Sequence, residues 1–124
     1  MPLMASLQMA LLGARAGGIT CVDGVYNAFK DNDGLTVECE QGAAIGMDGK
    51  TLIHPAQLGV ANAVFAPSET DVTQSKRVIE AHKAALAAGE GVAVLDGKIV
   101  ENLHVVTAEA TLAKARAISE MDNA

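Results

Sequence analysis

The sequence predicts an α/β fold built on a parallel sheet that the chain cannot complete by itself. Three observations carry that expectation. Helical apolar spacing alternates with short β-prone runs in the first half, giving the order helix, strand, helix, strand that marks a parallel sheet. Only two such strands are present, and two strands flanked by helices leave backbone N–H and C=O groups unpaired along their edges. A later pair of β-prone runs is joined by Asp96-Gly97 and reads as a separate hairpin, not as a completion of the first sheet.

Each element has a local reason. Leu3, Leu7 and Leu11, with Met4, Ala10 and Ala14, recur at helical spacing, and Gly17-Gly18 ends the run. Ile19 to Val22 is the first strand, stopped by Asp23-Gly24. Asp33-Gly34 opens a helix through Ile45, with Leu35, Cys39 and Ala43 on one face and Gly46 beyond its end. Lys50 to Ile53 is the second strand, closed by the stiff corner His54-Pro55. A helix follows over Gln57 to Phe65. Ser68 suits an N-cap, and Glu69 and Asp71 suit the positive end of a helix reaching Gly89, with Val72, Ile79 and Leu86 as its apolar stripe. Val92 to Leu95 and Lys98 to Glu101 flank the Asp-Gly pair that favours a type I′ turn. Asn102 then caps an Ala-rich helix carrying Leu103, Val106, Leu112 and Ile118. No internal repeat or low-complexity linker interrupts the chain.

Composition narrows the function classes. At 124 residues the length suggests one domain with a modest core. Half the residues are apolar, yet Tyr26, Phe29 and Phe65 are the only aromatics, so Ala, Val, Leu, Ile and Met must fill that core. The formal charge is −6, and Arg15, Arg77 and Arg116 form no basic cluster, which argues against nucleic acid as a partner. Cys21 and Cys39 lie far apart with no Cys-x-x-Cys and no His pair at metal-ligand spacing, so they read as small buried hydrophobes in a reducing compartment. The apolar stretch Leu3 to Leu12 is too short to span a bilayer and lacks the basic start of a signal peptide. The expected location is the cytoplasm, with no membrane contact.

The carboxyl ends of parallel strands are where α/β proteins handle ligands. Asp23 ends the first strand and either contacts a ligand or braces the Asp-Gly turn through its own backbone. His54 follows the second strand and either lines a pocket mouth or bonds a nearby loop backbone. Gln57 faces the same choice: ligand contact, or tying of the corner. Lys50 starts its strand at the opposite end and reads as structural or solvated. His82 reads as a packing or interface residue, His104 lacks a partner at ligand spacing, and Glu38 and Glu40 read as a solvated helix surface.

Several of these runs together resemble one family. Ala14-Arg15-Ala16-Gly17-Gly18 leading to Asp23-Gly24-Val25-Tyr26 looks like the seventh-strand region of the HpcH/HpaI aldolase and citrate lyase family, most closely its citrate lyase β-subunit-like and malyl-CoA lyase members. Asp33-Gly34-Leu35 and the run Gly46-Met47-Asp48-Gly49-Lys50-Thr51-Leu52-Ile53-His54-Pro55-Ala56-Gln57 are similar to the next helix and eighth strand. Phe65-Ala66-Pro67-Ser68, Gly89-Glu90-Gly91-Val92 and Asp96-Gly97-Lys98-Ile99-Val100-Glu101 are similar to the C-terminal extension.

The resemblance implies the last strands of a TIM-type (β/α)₈ barrel over residues 1–66, followed by a helical lid over 67–124 with a hairpin at 92–101 and a final helix. A whole barrel takes about 250 residues, so the barrel here would be incomplete. The implied reaction is magnesium-dependent retro-Claisen cleavage, or formation, of a 3-hydroxyacyl-CoA such as malyl-CoA or citramalyl-CoA. The implied metal ligands lie on strands preceding this segment, so none is expected in this chain, and activity is expected only with a partner chain that carries those strands. The resemblance places Glu101 on the lid as an acid reaching a neighbouring subunit's site, where it would protonate the enolate; read by itself it is an ordinary solvated acid. Homo-oligomerisation through the lid is likewise implied. The rival readings are a non-catalytic oligomerisation or regulatory module and a truncated gene product.

Overall fold

The computed structural model describes residues 2–124 and divides the chain into two compact units, one ending at Phe65 and one spanning Ala66–Ala124. The single domain expected from length is therefore two smaller bodies, each with its own core.

The first unit runs α1 (Met4–Ala16), β1 (Val22–Asp23), α2 (Asn32–Ile45), β2 (Gly49–Lys50), a 3₁₀ turn (Pro55–Gln57) and α3 (Leu58–Phe65). β1 and β2 pair in parallel, with Val22 opposite Gly49 and Asp23 opposite Lys50. Both strands are shorter than the apolar runs suggest: Cys21 O and the Thr51 N–H still bond across to the other strand's backbone, but other partners take the N–H groups of Ile19, Cys21 and Ile53. The Ile19 N–H donates to Ala14 O at the end of α1, and the Cys21 N–H donates to the Asp48 carboxylate. Beyond β2, the Ile53 N–H donates to the Gln57 side chain.

α2 starts earlier than Asp33. Asp31 is its N-cap, accepting from the Gly34 N–H at 2.9 Å and from the Tyr26 hydroxyl at 2.7 Å. A Cβ on Gly34 would run into both Tyr26 Oη and the Asp31 carboxylate, so a side chain here would displace the cap. Leu35, Cys39 and Ala61 form the core, with Tyr26, Leu52, Val60, Val64 and Phe65 packed on it. The α1 face that is buried is Leu11 and Ala14, while Leu3 is exposed.

The second unit contains α4 (Glu69–Ala87), β3 (Ala93–Leu95), β4 (Lys98–Val100) and α5 (Asn102–Asp122). Ser68 caps α4 in a reciprocal box: its hydroxyl accepts from the Asp71 N–H, and Asp71 accepts from the Ser68 N–H, each at 3.0 Å. β3 and β4 form the antiparallel hairpin, and positive φ at Asp96 (51°) and Gly97 (77°) fits the type I′ turn. Arg77 Nη2 reaches from α4 to Asp96 at 2.7 Å and holds the turn.

Two details of this unit differ from the sequence reading. The α4 face that packs is Ser75, Val78 and Ala85, with Leu86 64% exposed, because close approach of α4 to α5 and the hairpin favours small residues. The N-cap of α5 is Glu101 and not Asn102. Ala85, Ala93 and Val100 form the core, with Val78, Leu95 and Val105 around it.

Candidate functional site

In the first unit the loops after the two parallel strands, residues 24–31 and 51–57, are tied together. Gln57 is the tie. Its fully buried side chain accepts from the Ile53 N–H at 3.0 Å and donates to Tyr26 O at 2.8 Å, so one amide joins the corner to the facing loop. His54 lies on the exposed rim of the corner; its Nδ1 accepts from the Ala56 N–H at 3.0 Å. Its ring stacks on Phe29, with centroids 4.6 Å apart and planes 19° from parallel.

Asp23 lies beneath this rim, turned towards α2. A Cβ on Gly42 of α2 would come within 3.4 Å of its Oδ2. It is 8% exposed, accepts from the Gly24 N–H at 2.9 Å and pairs with Lys50 Nζ at 3.1 Å. Lys50 also reaches Glu38 Oε1 at 2.6 Å, and its side chain is completely buried. Burial opposes the charge on Lys50, but the hydrogen bonds from Glu38 and Asp23 outweigh it and hold the amine above its ordinary value.

This cluster corrects two readings. Of its two readings Lys50 takes the structural one, and its place is corrected: it is level with Asp23 because β2 is Gly49–Lys50. Glu38 is not merely a solvated helix surface but Lys50's second partner. Cys39, under the same cluster, has its thiol pushed up by burial, with Lys50 pulling the other way. Asp31 is held below the ordinary carboxylate value by the Gly34 N–H and then by the Tyr26 hydroxyl.

The second unit carries a cleft of about 290 Å³ between the C-terminal half of α4, the hairpin and the start of α5. Glu101 lines it, with His82, Glu90 and Asn102 as further polar groups and Leu86 and Ile99 as apolar wall. Glu101 is exposed, and its backbone N–H donates to His104 Nδ1 at 3.0 Å, so the partner His104 lacked in the sequence is the backbone of the N-cap. The structure thus brings Asp23, His54 and Gln57 to one end of the first unit's sheet, and places Glu101 and His82 on the walls of one cleft in the second.

Sequence reasoning missed three participants. Phe29 had a signal, being one of three aromatics and lying in a loop without helical or strand periodicity. The Lys50–Glu38 contact and the approach of His82 to the hairpin had none, because each depends on how a helix lies against a strand. Among the described residues no group of three or more His, Cys, Asp or Glu could hold a metal ion, and no helix is long and apolar enough to cross a membrane.

Comparison with known proteins gives a consistent result. A family model described as a C–C bond lyase of the TIM-barrel fold matches residues 4–120. The (3S)-malyl-CoA thioesterase of Cereibacter sphaeroides is 62% identical over 117 residues, covering 94% of this chain and 41% of that protein. The L-malyl-CoA/beta-methylmalyl-CoA lyase of the same organism is 41% identical over 113 residues, covering 90% of this chain and 36% of that protein. Among solved structures, CitE from Mycobacterium tuberculosis, in complex with magnesium, acetoacetate and coenzyme A, matches with a TM-score of 0.68 at 30% identity, covering 88% of this chain and 39% of CitE. The chain spans about two fifths of the length of the curated relatives it matches.

Proposed function

This chain belongs to the C–C bond lyase family of the TIM-barrel fold, and from that premise we propose that it forms the closing part of a barrel enzyme acting on malyl-CoA or a close analogue. The observation that carries the reading is the 62% identity to a (3S)-malyl-CoA thioesterase along 94% of the chain. Under this reading β1 and β2 are the last barrel strands, and the second unit is the lid, with Glu101 facing the reacting thioester. The exposed Val22 and Ile19 on and beside β1 then meet strands supplied by the rest of the protein or by a partner chain.

The reaction balances without any group from outside the substrate except protons. A base removes the hydroxyl proton at the carbon beside the carboxylate, the electron pair forms the carbonyl of glyoxylate, and the carbon–carbon bond breaks. The released pair forms the enolate of acetyl-CoA, which takes a proton at carbon. Glu101 is the proposed donor of that proton. In a thioesterase, water instead adds to the thioester carbonyl, and malate and free thiol leave.

A magnesium ion such as CitE holds does not fit here. The Asp23 and Glu38 carboxylates are engaged by Lys50, and among the described residues no group of three or more His, Cys, Asp or Glu side chains could hold the ion. Its ligands belong to the remaining length of the protein. His54 and Gln57 shape the rim at the strand ends, and Asp23 acts by bracing the loop above it.

The test is to join or co-express this chain with the upstream strands of the thioesterase relative and to measure thiol and glyoxylate release from (3S)-malyl-CoA. Magnesium-dependent release of either product is expected, and Glu101→Gln should lower kcat about 100-fold, within the range for a lost general acid, with KM little changed. A stable complex that binds coenzyme A but releases neither product overturns the enzyme reading and favours a regulatory module. Absence of any complex or cooperative fold favours a truncated product.

A further inference from the structure

Glu101 is the single residue between β4, which ends at Val100, and α5, which starts at Asn102. The direction of its carboxyl therefore depends on the backbone of that joint. His104 holds both polar groups of this backbone. The Glu101 N–H donates to His104 Nδ1 at 3.0 Å, and Glu101 O accepts from the His104 N–H at 3.0 Å. An imidazole nitrogen accepts only while it carries no proton, so the first bond requires the neutral ring with its hydrogen on Nε2. Glutamate or glutamine is the ordinary residue at this third helical position, and either accepts the same N–H at any pH near neutral. Histidine accepts it conditionally. Protonation removes the acceptor, sets two donors against each other and adds positive charge to the end of the helix that is already positive.

We propose that His104 is a positioning residue for Glu101: a latch that is closed with a neutral ring and opens as the pH falls through the imidazole range of about 5 to 8. The proton-donor role of Glu101 rests on the malyl-CoA reading above; the latch itself rests on the bond. Closed, it fixes the joint that presents the carboxyl to the cleft lined by Glu101, His82 and Glu90. Open, the joint frays with the first turn of α5, and the carboxyl loses its fixed direction. The elements around this helix start carry Glu80, His82 and Lys83 on α4, Glu90 in the turn after it, Lys98 on β4 and Glu109 on α5. None of them bonds or ion-pairs with the His104 ring among the described residues. His82 is the other imidazole in this unit, which makes it the control. A plain structural cap would hold α5 equally well across the same pH range.

The test follows the 124-residue chain by NMR from about pH 8 to about pH 5. The ring nitrogen shifts of His104 read its tautomer, and hydrogen exchange reads the protection of the Glu101 N–H. Expected are an unprotonated Nδ1 at the upper end and, as the ring gains its proton, a fall of about fivefold in protection relative to the intrinsic exchange rate, the size of a lost cap. His104→Gln should keep the protection throughout, His104→Ala should lack it throughout, and His82→Gln should retain the step. Protection in His104→Ala equal to that of the parent overturns the latch, as does a step that survives in His104→Gln or vanishes in His82→Gln. If His104→Ala does not fold, the tautomer in the parent and the His104→Gln titration decide by the same criteria. In the protein completed with its upstream strands, kcat for (3S)-malyl-CoA should fall further towards acid pH in the parent than in His104→Gln, with KM alike in both. Equal falls overturn the positioning role. A latch seen by NMR while no variant turns over malyl-CoA sinks the malyl-CoA reading alone.

Discussion

Lys50→Met removes the cation from the cluster that joins β1, β2 and α2 while keeping most of the apolar stem. The Lys50 side chain is fully buried, that of Asp23 is 10% exposed and that of Glu38 is 28% exposed. Deleting one partner of a buried pair leaves the other charges desolvated and uncompensated, a loss of about 3–5 kcal/mol. Water reaches Glu38 in part, so the low end, about 3 kcal/mol, is expected here. Urea denaturation of the parent and the variant measures it as a fall in midpoint at constant slope.

Two controls sharpen that result. The triple variant Lys50→Met, Asp23→Asn, Glu38→Gln carries no buried charge and should recover a large part of the loss. The folded-state pKa of Lys50 is raised above 10.5, so its contribution is present below that ordinary value and is lost as the pH climbs through the folded one. The gap between parent and Lys50→Met should therefore persist from neutral pH upwards and shrink only in strong base. A Lys50→Met chain as stable as the parent, or a triple variant no better than the single one, refutes the account of a charge held by its partners.

Two other perturbations test the loops and caps. Gln57→Leu leaves the Ile53 N–H and Tyr26 O without their partner; a loss of about 2 kcal/mol or more is expected, with faster amide exchange at Ile53 as the local readout. Ser68→Ala breaks the reciprocal box at the start of α4 and should cost about 1 kcal/mol, seen as a lower thermal midpoint, while Ser68→Asp should retain most of the capping.

Much of the local architecture was legible because it depends on neighbours in sequence. Asp96-Gly97 needs positive φ at both residues, and few dipeptides allow it; Ser68 followed by Asp71 contains both halves of a cap. Strand limits were less legible. Ile19 to Cys21 and Thr51 to Ile53 have strand-forming residues, yet the N–H groups of Ile19, Cys21 and Ile53 go to a helix end and to the side chains of Asp48 and Gln57. The packing face of α4 differs from the stripe read off the sequence for a related reason: where helices approach closely, alanine and serine pack and a larger residue such as Leu86 is left outside.

Of the candidate site, residue types and the strand-end location came from the sequence, as did the kinship of the runs around Asp23-Gly24 and Ile53-His54-Pro55. Which atoms each side chain engages came only from the tertiary structure. Asp23 turns to Lys50 because parallel pairing sets it level with that residue, and Glu38 joins them because α2 lies across the sheet. Phe29 meets His54 because Gln57 draws two loops together. The physical reason is the range of the forces: turns and caps are decided within a few residues, whereas ion pairs and ring stacks require groups distant in sequence to be brought within a few ångströms by the fold.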